Sequence, residues 1–150
     1  MVMEIREAQK DDLPRLLELY TQLHGNTMPE FDENLATLWK GILEDKNHHI
    51  IIGVIGGEIV SSCVLVIVPN LTHDQRPYAL VENVITRESC RNRGYATRLL
   101  HIAREIAVGR RCYKIMLMTG SKKESTWLFY ERAGFNGTDK KAFIQWLDET

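Results

Sequence analysis

No apolar stretch in this 150-residue chain approaches the ~18–20 residues that a membrane-spanning helix requires. Met1–Lys10 already carries charge, so the sequence predicts neither a membrane span nor a secretory signal. Cysteine is scarce. Cys63, Cys90 and Cys112 are an odd set without paired metal-type spacing, which reads as reduced thiols in a cytoplasmic protein. His24, His48, His49, His73 and His101 form no His-x-x-x-His pair, and no Cys-x-x-Cys occurs, so no metal is expected. An excess of one charge is also missing: 19 basic side chains oppose 20 acidic ones, for a net charge of −1. That excludes a general basic field for nucleic acid or an anionic membrane, and any anion binding must be local. No repeat, low-complexity segment or Pro/Gly/Ser-rich linker divides the chain, so residues 1–150 read as one domain.

What is present fits a globular domain, at 44% hydrophobic and 26% charged. Val2 to Arg6 reads as a first strand. Asp11 and Asp12 are placed to cap a helix that tolerates Pro14 in its first turn, with Leu13, Leu16, Leu17 and Tyr20 on one face. After a loop from His24 to Glu30, Phe31, Leu35, Leu38, Trp39 and Ile42 form a second helical stripe. His49–Ile55 and Glu58–Val68 flank Gly56-Gly57 and predict a β-hairpin. Pro69 ends it, and Asn70 to Pro77 reads as a polar loop. Tyr78 to Thr86 is a strand, Ala96 to Ala107 a helix stopped at Gly109, and Tyr113 to Met118 a strand. Glu124–Ala133 is a short helix before Gly134, and Ala142–Leu147 is expected as a last strand. The fold class is α/β, a mixed sheet with helices on both faces.

Arg91-Asn92-Arg93-Gly94-Tyr95-Ala96 lies between a strand and the helix it opens. A helix start leaves about four N–H groups unpaired and carries about half a positive charge. Gly94 lets the backbone approach a ligand closely, Ala96 lets it pass over the first turn, and Arg91 and Arg93 add charge. The pattern suits a pyrophosphate cradle, and equally an ordinary turn with a solvated basic rim. It is neither a Walker loop nor a dinucleotide fingerprint, since neither the Gly-Lys-Ser/Thr nor the further glycines are there.

Arg-x-x-Gly-x-Ala at this place resembles the acyl-CoA signature of the GNAT superfamily. Leu128-Phe129-Tyr130-Glu131-Arg132-Ala133-Gly134-Phe135 resembles its second signature, in the family's order and with one strand between. Arg91 stands where many members have Gln. Cys112-Tyr113-Lys114-Ile115 and Val81-Glu82-Asn83-Val84 are similar to segments of glucosamine-6-phosphate N-acetyltransferases. The specific likeness covers roughly residues 78–137, and the earlier part agrees in element order only. The resemblance implies a GNAT-like fold with splayed central parallel strands, Tyr78–Thr86 and Tyr113–Met118, and acetyl-CoA as co-substrate. It implies pantetheine pairing at Val84 and Ile85, a diphosphate on the amides from Asn92 to Thr97, and Thr126 and Phe129 flanking the other side. Family habit adds a homodimer and places the amine acceptor against His24–Asp32 and Asn136–Lys141. Lys122 or Lys123 is available for the 3′-phosphate.

Acyl transfer to an amine needs a neutral nucleophile, a stabilised oxyanion and a protonated leaving thiolate. An alkylammonium has a pKa of about 10.4, so a carboxylate acting directly or through water must take its proton. Glu82 is the candidate base, its bland alternative a salt-bridged strand residue. A backbone N–H near Val84 or Ile85 would meet the oxyanion. Tyr130 is the candidate acid, because a phenol is protonated at neutral pH; its alternative is core packing with Trp127. An acyl-cysteine route finds no base beside Cys63, Cys90 or Cys112 in sequence. Two functions follow: an N-acetyltransferase acting on a small-molecule or peptide amine, or a non-catalytic acyl-CoA-sensing module.

Overall fold

The computed structural model describes residues 1–23 and 26–148. His24 and Gly25, expected in the loop after the first helix and at the acceptor lining, lie outside the described residues. The chain divides into two compact units, Met1–Leu117 and Met118–Thr150.

The two β-branched runs form the centre of the first unit's sheet. β1 (Glu4–Glu7), β2 (His48–Ile55), β3 (Glu58–Val68), β4 (Tyr78–Thr86) and β5 (Ile115–Leu117) lie side by side in chain order. β1 through β4 are antiparallel, and β5 joins β4 in parallel. Gly56 and Gly57 take φ of 55° and 81°, the double positive φ of a primed turn, which sets Ile55 opposite Glu58. Helices α1 (Leu13–Tyr20), α2 (Glu33–Glu44) and α3 (Tyr95–Gly109) cover the sheet.

The strand period of two divides the core into faces. Ile50, Ile52, Val64 and Ile85 pack with Leu16 and Leu19 of α1 and Trp39 of α2. The alternate residues Ile51, Cys63, Leu65 and Val81 are buried on the other face, where α3 supplies buried Leu99, Leu100, Ala103 and Ala107. Gly53 belongs to that second face: a Cβ there would overlap the Met3 sulfur and lie 3.3 Å from Leu99 Cδ1. Each fully buried Leu or Ile contributes about 1.5–3 kcal/mol, so the sheet is held mainly by this double layer.

Local details depart from the sequence expectation where tertiary partners intervene. β1 starts at Glu4 rather than Val2, because its ladder begins at Glu4 opposite Val54. Asp12 does not cap α1 with its side chain. Its buried carboxylate accepts from the Gln9 N–H (2.7 Å) and from both terminal nitrogens of Arg6 (2.7 and 3.0 Å). α2 is capped by Asp32, which accepts from the Leu35 N–H at 2.9 Å, so Phe31 lies ahead of the helix. Its stripe is narrower than expected: Trp39 is 7% exposed and donates to the Lys10 carbonyl (3.0 Å), whereas Leu38 is 60% exposed. The loop after β3 contains a tight turn, Thr72–Gln75, with left-handed angles at His73, Asp74 and Gln75.

In the second unit α4 (Glu124–Arg132) forms where expected, and Gly134 (φ 105°) ends it. The strand expected at Ala142–Leu147 is absent. A strand needs a neighbouring ladder, and the unit contains no other strand among its described residues. Phe143 and Trp146 are accordingly 85% and 76% exposed.

Candidate active site

β4 and β5 are zipped at one end only. The Tyr113 N–H donates to the Pro77 carbonyl (2.9 Å), the Ala79 N–H to the Lys114 carbonyl (3.0 Å), and Tyr113 stacks on His73 at 3.9 Å. Register then runs Ala79 to Ile115, Leu80 to Met116 and Val81 to Leu117, where β5 stops. The expected strand Tyr113–Met118 is thus shorter at both ends, since its first residues serve the entry loop. Beyond Val81, β4 continues to Thr86 with no β5 partner. The β4–β5 ladder therefore ends at the Val81–Leu117 pair.

Within that free stretch β4 bulges. Val64 pairs with Glu82 and Ser62 with Ile85, so Asn83 and Val84 together face Cys63. Asn83 takes φ 51°, a left-handed angle that asparagine tolerates better than most residues. A bulge leaves an unpaired residue and re-aims the strand. This was missed in the sequence; an Asn inside a β-branched run was the available signal. Ser61, buried in β3, holds the far side: its hydroxyl donates to the Ile85 carbonyl (3.1 Å) and pairs with the Thr86 hydroxyl (2.9 Å). Glu82 stands next to Val64 on the α1 and α2 face, exposed, and its carboxylate makes no ion pair or hydrogen bond among the described residues.

β4 leads through Arg87 and a 3-10 turn, Glu88–Cys90, into Arg91–Gly94. Asn92 (φ 62°) and Gly94 (φ 77°) both take left-handed angles. The first helical bond of α3 runs from the Arg98 N–H to the Gly94 carbonyl (3.2 Å), ahead of which come the amides of Tyr95, Ala96 and Thr97. No side chain caps this end. Arg91, Asn92, Arg93 and Gly94 are exposed, Tyr95, Ala96 and Thr97 half-buried, and Arg91 reaches back to the Thr86 carbonyl through Nε (3.3 Å). Space stands open where a Gly94 Cβ would project. The arrangement is an anion-receptive helix start with two guanidinium groups beside it.

In the second unit Tyr130 lies between Phe129 and Phe135, ring centres 5.0 and 6.2 Å away, both edge-on. Thr126 accepts from the Ser121 hydroxyl at 2.9 Å, and Trp127 donates its indole N–H to the Ser121 carbonyl (2.9 Å). Ser121 thereby organises the start of α4. Lys122 and Lys123 are exposed. Of the expected acceptor lining, Asn26–Asp32 is exposed in the first unit. In the second, Asn136 accepts from the Thr138 and Asp139 N–H groups (2.8 and 3.2 Å), forming a turn.

Burial pushes the Cys63 thiol up to about 12, which removes it as a nucleophile near neutral pH, and burial also raises Cys112. Among the described residues no group of three or more His, Cys, Asp or Glu is placed to hold a metal ion. No described helix is long and apolar enough to cross a membrane.

Residues 5–135 match the acetyltransferase (GNAT) family, to which the chain belongs and which makes it an acyltransferase by class. It is 32% identical over 85 residues to a glucosamine 6-phosphate N-acetyltransferase of Trypanosoma brucei brucei, a match covering 57% of this chain and 56% of that protein's length. A solved protein of Agrobacterium tumefaciens str. C58, assigned to the acetyltransferases, superposes with a TM-score of 0.87 at 36% identity, covering 95% of this chain and 99% of that one. A transcriptional regulator from Bacillus halodurans C-125 shares the fold at a TM-score of 0.82 and 27% identity, covering 97% of this chain and 100% of that one.

Proposed function

We propose that the protein transfers an acetyl group from acetyl-CoA to the primary amine of a small molecule, an amino sugar being the first class to test and a peptide the next. The observation that carries this reading is the free edge of β4 from Glu82 to Thr86, running directly into the uncapped start of α3. A strand edge without a neighbour supplies the alternating donors and acceptors that an amide-containing pantetheine arm can pair with. The amides from Asn92 to Thr97, with Arg91 and Arg93, then receive the diphosphate. The acyl carbonyl would lie beside the Asn83 bulge, where the Val84 or Ile85 N–H meets the oxyanion. Glu82, exposed on the same strand, takes the amine's proton directly or through water. Tyr130 is assigned the role of giving its phenolic proton to the departing thiolate, and Thr126 and Phe129 that of contacting the cofactor, as the resemblance implies. The likeness to a glucosamine 6-phosphate N-acetyltransferase supports the amino-sugar class.

A non-catalytic acyl-CoA-sensing module is the second reading, favoured by the likeness to a transcriptional regulator. Tyr130→Phe separates the two. On an amine panel followed by free thiol release, the enzyme reading expects turnover to fall roughly 10²-fold with coenzyme A affinity kept. Tight coenzyme A binding with no turnover of any amine by the unaltered protein would establish the sensor instead.

A further inference from the structure

The nucleotide-facing turn is braced from the far end of the sequence. Gln22, just past the end of α1, offers its side-chain oxygen to the Glu88 N–H at 2.9 Å, across 66 residues. Glu18, four residues earlier and so on the same side of the helix, pairs with the Arg87 guanidinium at 3.3 Å. Gln22 is itself fixed, since its own N–H donates to the Leu19 carbonyl at 3.1 Å. Arg87 is tied to the hairpin as well: its N–H donates to the Val60 carbonyl (2.7 Å) and its guanidinium to the Ile59 carbonyl (3.3 Å).

Glu88 opens the 3-10 turn that carries the chain into Arg91–Gly94, and the first amides of such a turn have no partner inside it. Inside the turn, the Cys90 N–H donates to the Arg87 carbonyl (2.8 Å). Gln22 thus supplies from another element the acceptor that an N-cap side chain would supply locally, and no side chain of the turn itself does so. Residues 87–91 link this clasp to the amides ahead of α3.

We infer that Gln22, assisted by Glu18, is a positioning residue for the nucleotide-binding turn: it fixes the base of that turn and thereby the aim of the Asn92–Thr97 amides. The inference rests on the reading of that turn as the diphosphate site. Gln22→Leu removes the acceptor at similar size, whereas Gln22→Glu keeps an oxygen that accepts the same N–H. Loss of one such hydrogen bond corresponds to about a three- to ten-fold change in an equilibrium.

Calorimetric titration with coenzyme A, on variants whose fold is checked by thermal melting, is the test. Gln22→Leu should bind about three- to ten-fold more weakly and show faster hydrogen exchange at the Glu88 amide. Gln22→Glu should bind as the parent does, and turnover at saturating acetyl-CoA should be unchanged in both. Equal coenzyme A affinity in Gln22→Leu and the parent overturns the positioning role and leaves the proposed function standing. Absence of coenzyme A binding by the parent itself overturns both.

Discussion

Val81 and Leu117 are the last residues at which β4 and β5 meet in register. Past them β5 ends, and the edge of β4 that has no β5 partner carries Glu82, the Asn83 bulge and Val84 before the chain reaches the Gly94 turn. One missing ladder thus leaves the main-chain groups of this edge without a β5 partner. Experiments on this edge or on the turn bear on the whole reading.

Gly94 combines φ 77° with open space where a Cβ would go. The Cβ of Gly94→Val therefore meets no neighbour; the penalty is the left-handed angle, about 1–2 kcal/mol, together with a side chain standing in the path of an incoming phosphate. We expect coenzyme A affinity to fall at least about ten-fold, while the melting temperature drops by a few degrees only. Unchanged affinity by calorimetry would remove the cradle.

Glu82→Gln keeps the shape of the side chain and loses the base. Turnover with an amine should fall about 10²-fold near neutral pH, with coenzyme A binding retained. The deficit should shrink as pH climbs toward the amine's own pKa near 10, since free amine then accumulates without help. A pH-independent deficit would count against the proton-acceptor role.

Gly53 tests how closely α3 seats on the sheet. Gly53→Ala places a methyl group against the Met3 sulfur and 3.3 Å from Leu99 Cδ1. Destabilisation of about 1–3 kcal/mol is expected in urea unfolding. Because the tighter overlap is with the flexible Met3, the same change in a Met3→Ala background should cost less. Equal losses in the two backgrounds would contradict the packing described.

Stability should erode at both pH extremes, for opposite reasons. The hydrogen bond from Arg6 holds the Asp12 carboxyl below its ordinary value, against the opposing effect of burial. A lowered folded-state pKa gives stability that is present above the unfolded value, near 3.9, and lost as pH falls through the folded one. Asp12→Asn should weaken the fold at neutral pH and flatten this acid limb. Burial pushes the Tyr20 phenol up to about 12, and its stability contribution is complete below the ordinary value of about 10 and lost between there and about 12. Tyr20→Phe should flatten that alkaline limb. Denaturant midpoints across the pH range decide both, and limbs identical to the parent's would refute the assignments.

Much of the fold around the candidate site was legible because it is local. The glycine pair at Gly56-Gly57, the stripe of Leu99, Leu100 and Ala103, and the Gly94 turn each depend on residues adjacent in sequence. The Arg-x-x-Gly-x-Ala turn appears with the helix start it was expected to open. Asp12 was misjudged as a cap because its better partner, Arg6, is on the preceding strand and outcompetes a helix amide for the carboxylate. The segment Ala142–Leu147 was expected as a last strand, yet a segment's own residues do not supply the neighbouring strand that a ladder needs.

The amino-acid order alone therefore determined the periods of the elements, the hairpin turn and the helix start after Gly94, since each follows from backbone preferences a few residues wide. Only tertiary structure decided where the β4–β5 ladder ends, that Asn83 bulges, that Glu82 stands exposed and that Gln22 braces a turn far away in sequence. Those features are fixed by which segment lies alongside another, and no local preference encodes a neighbour.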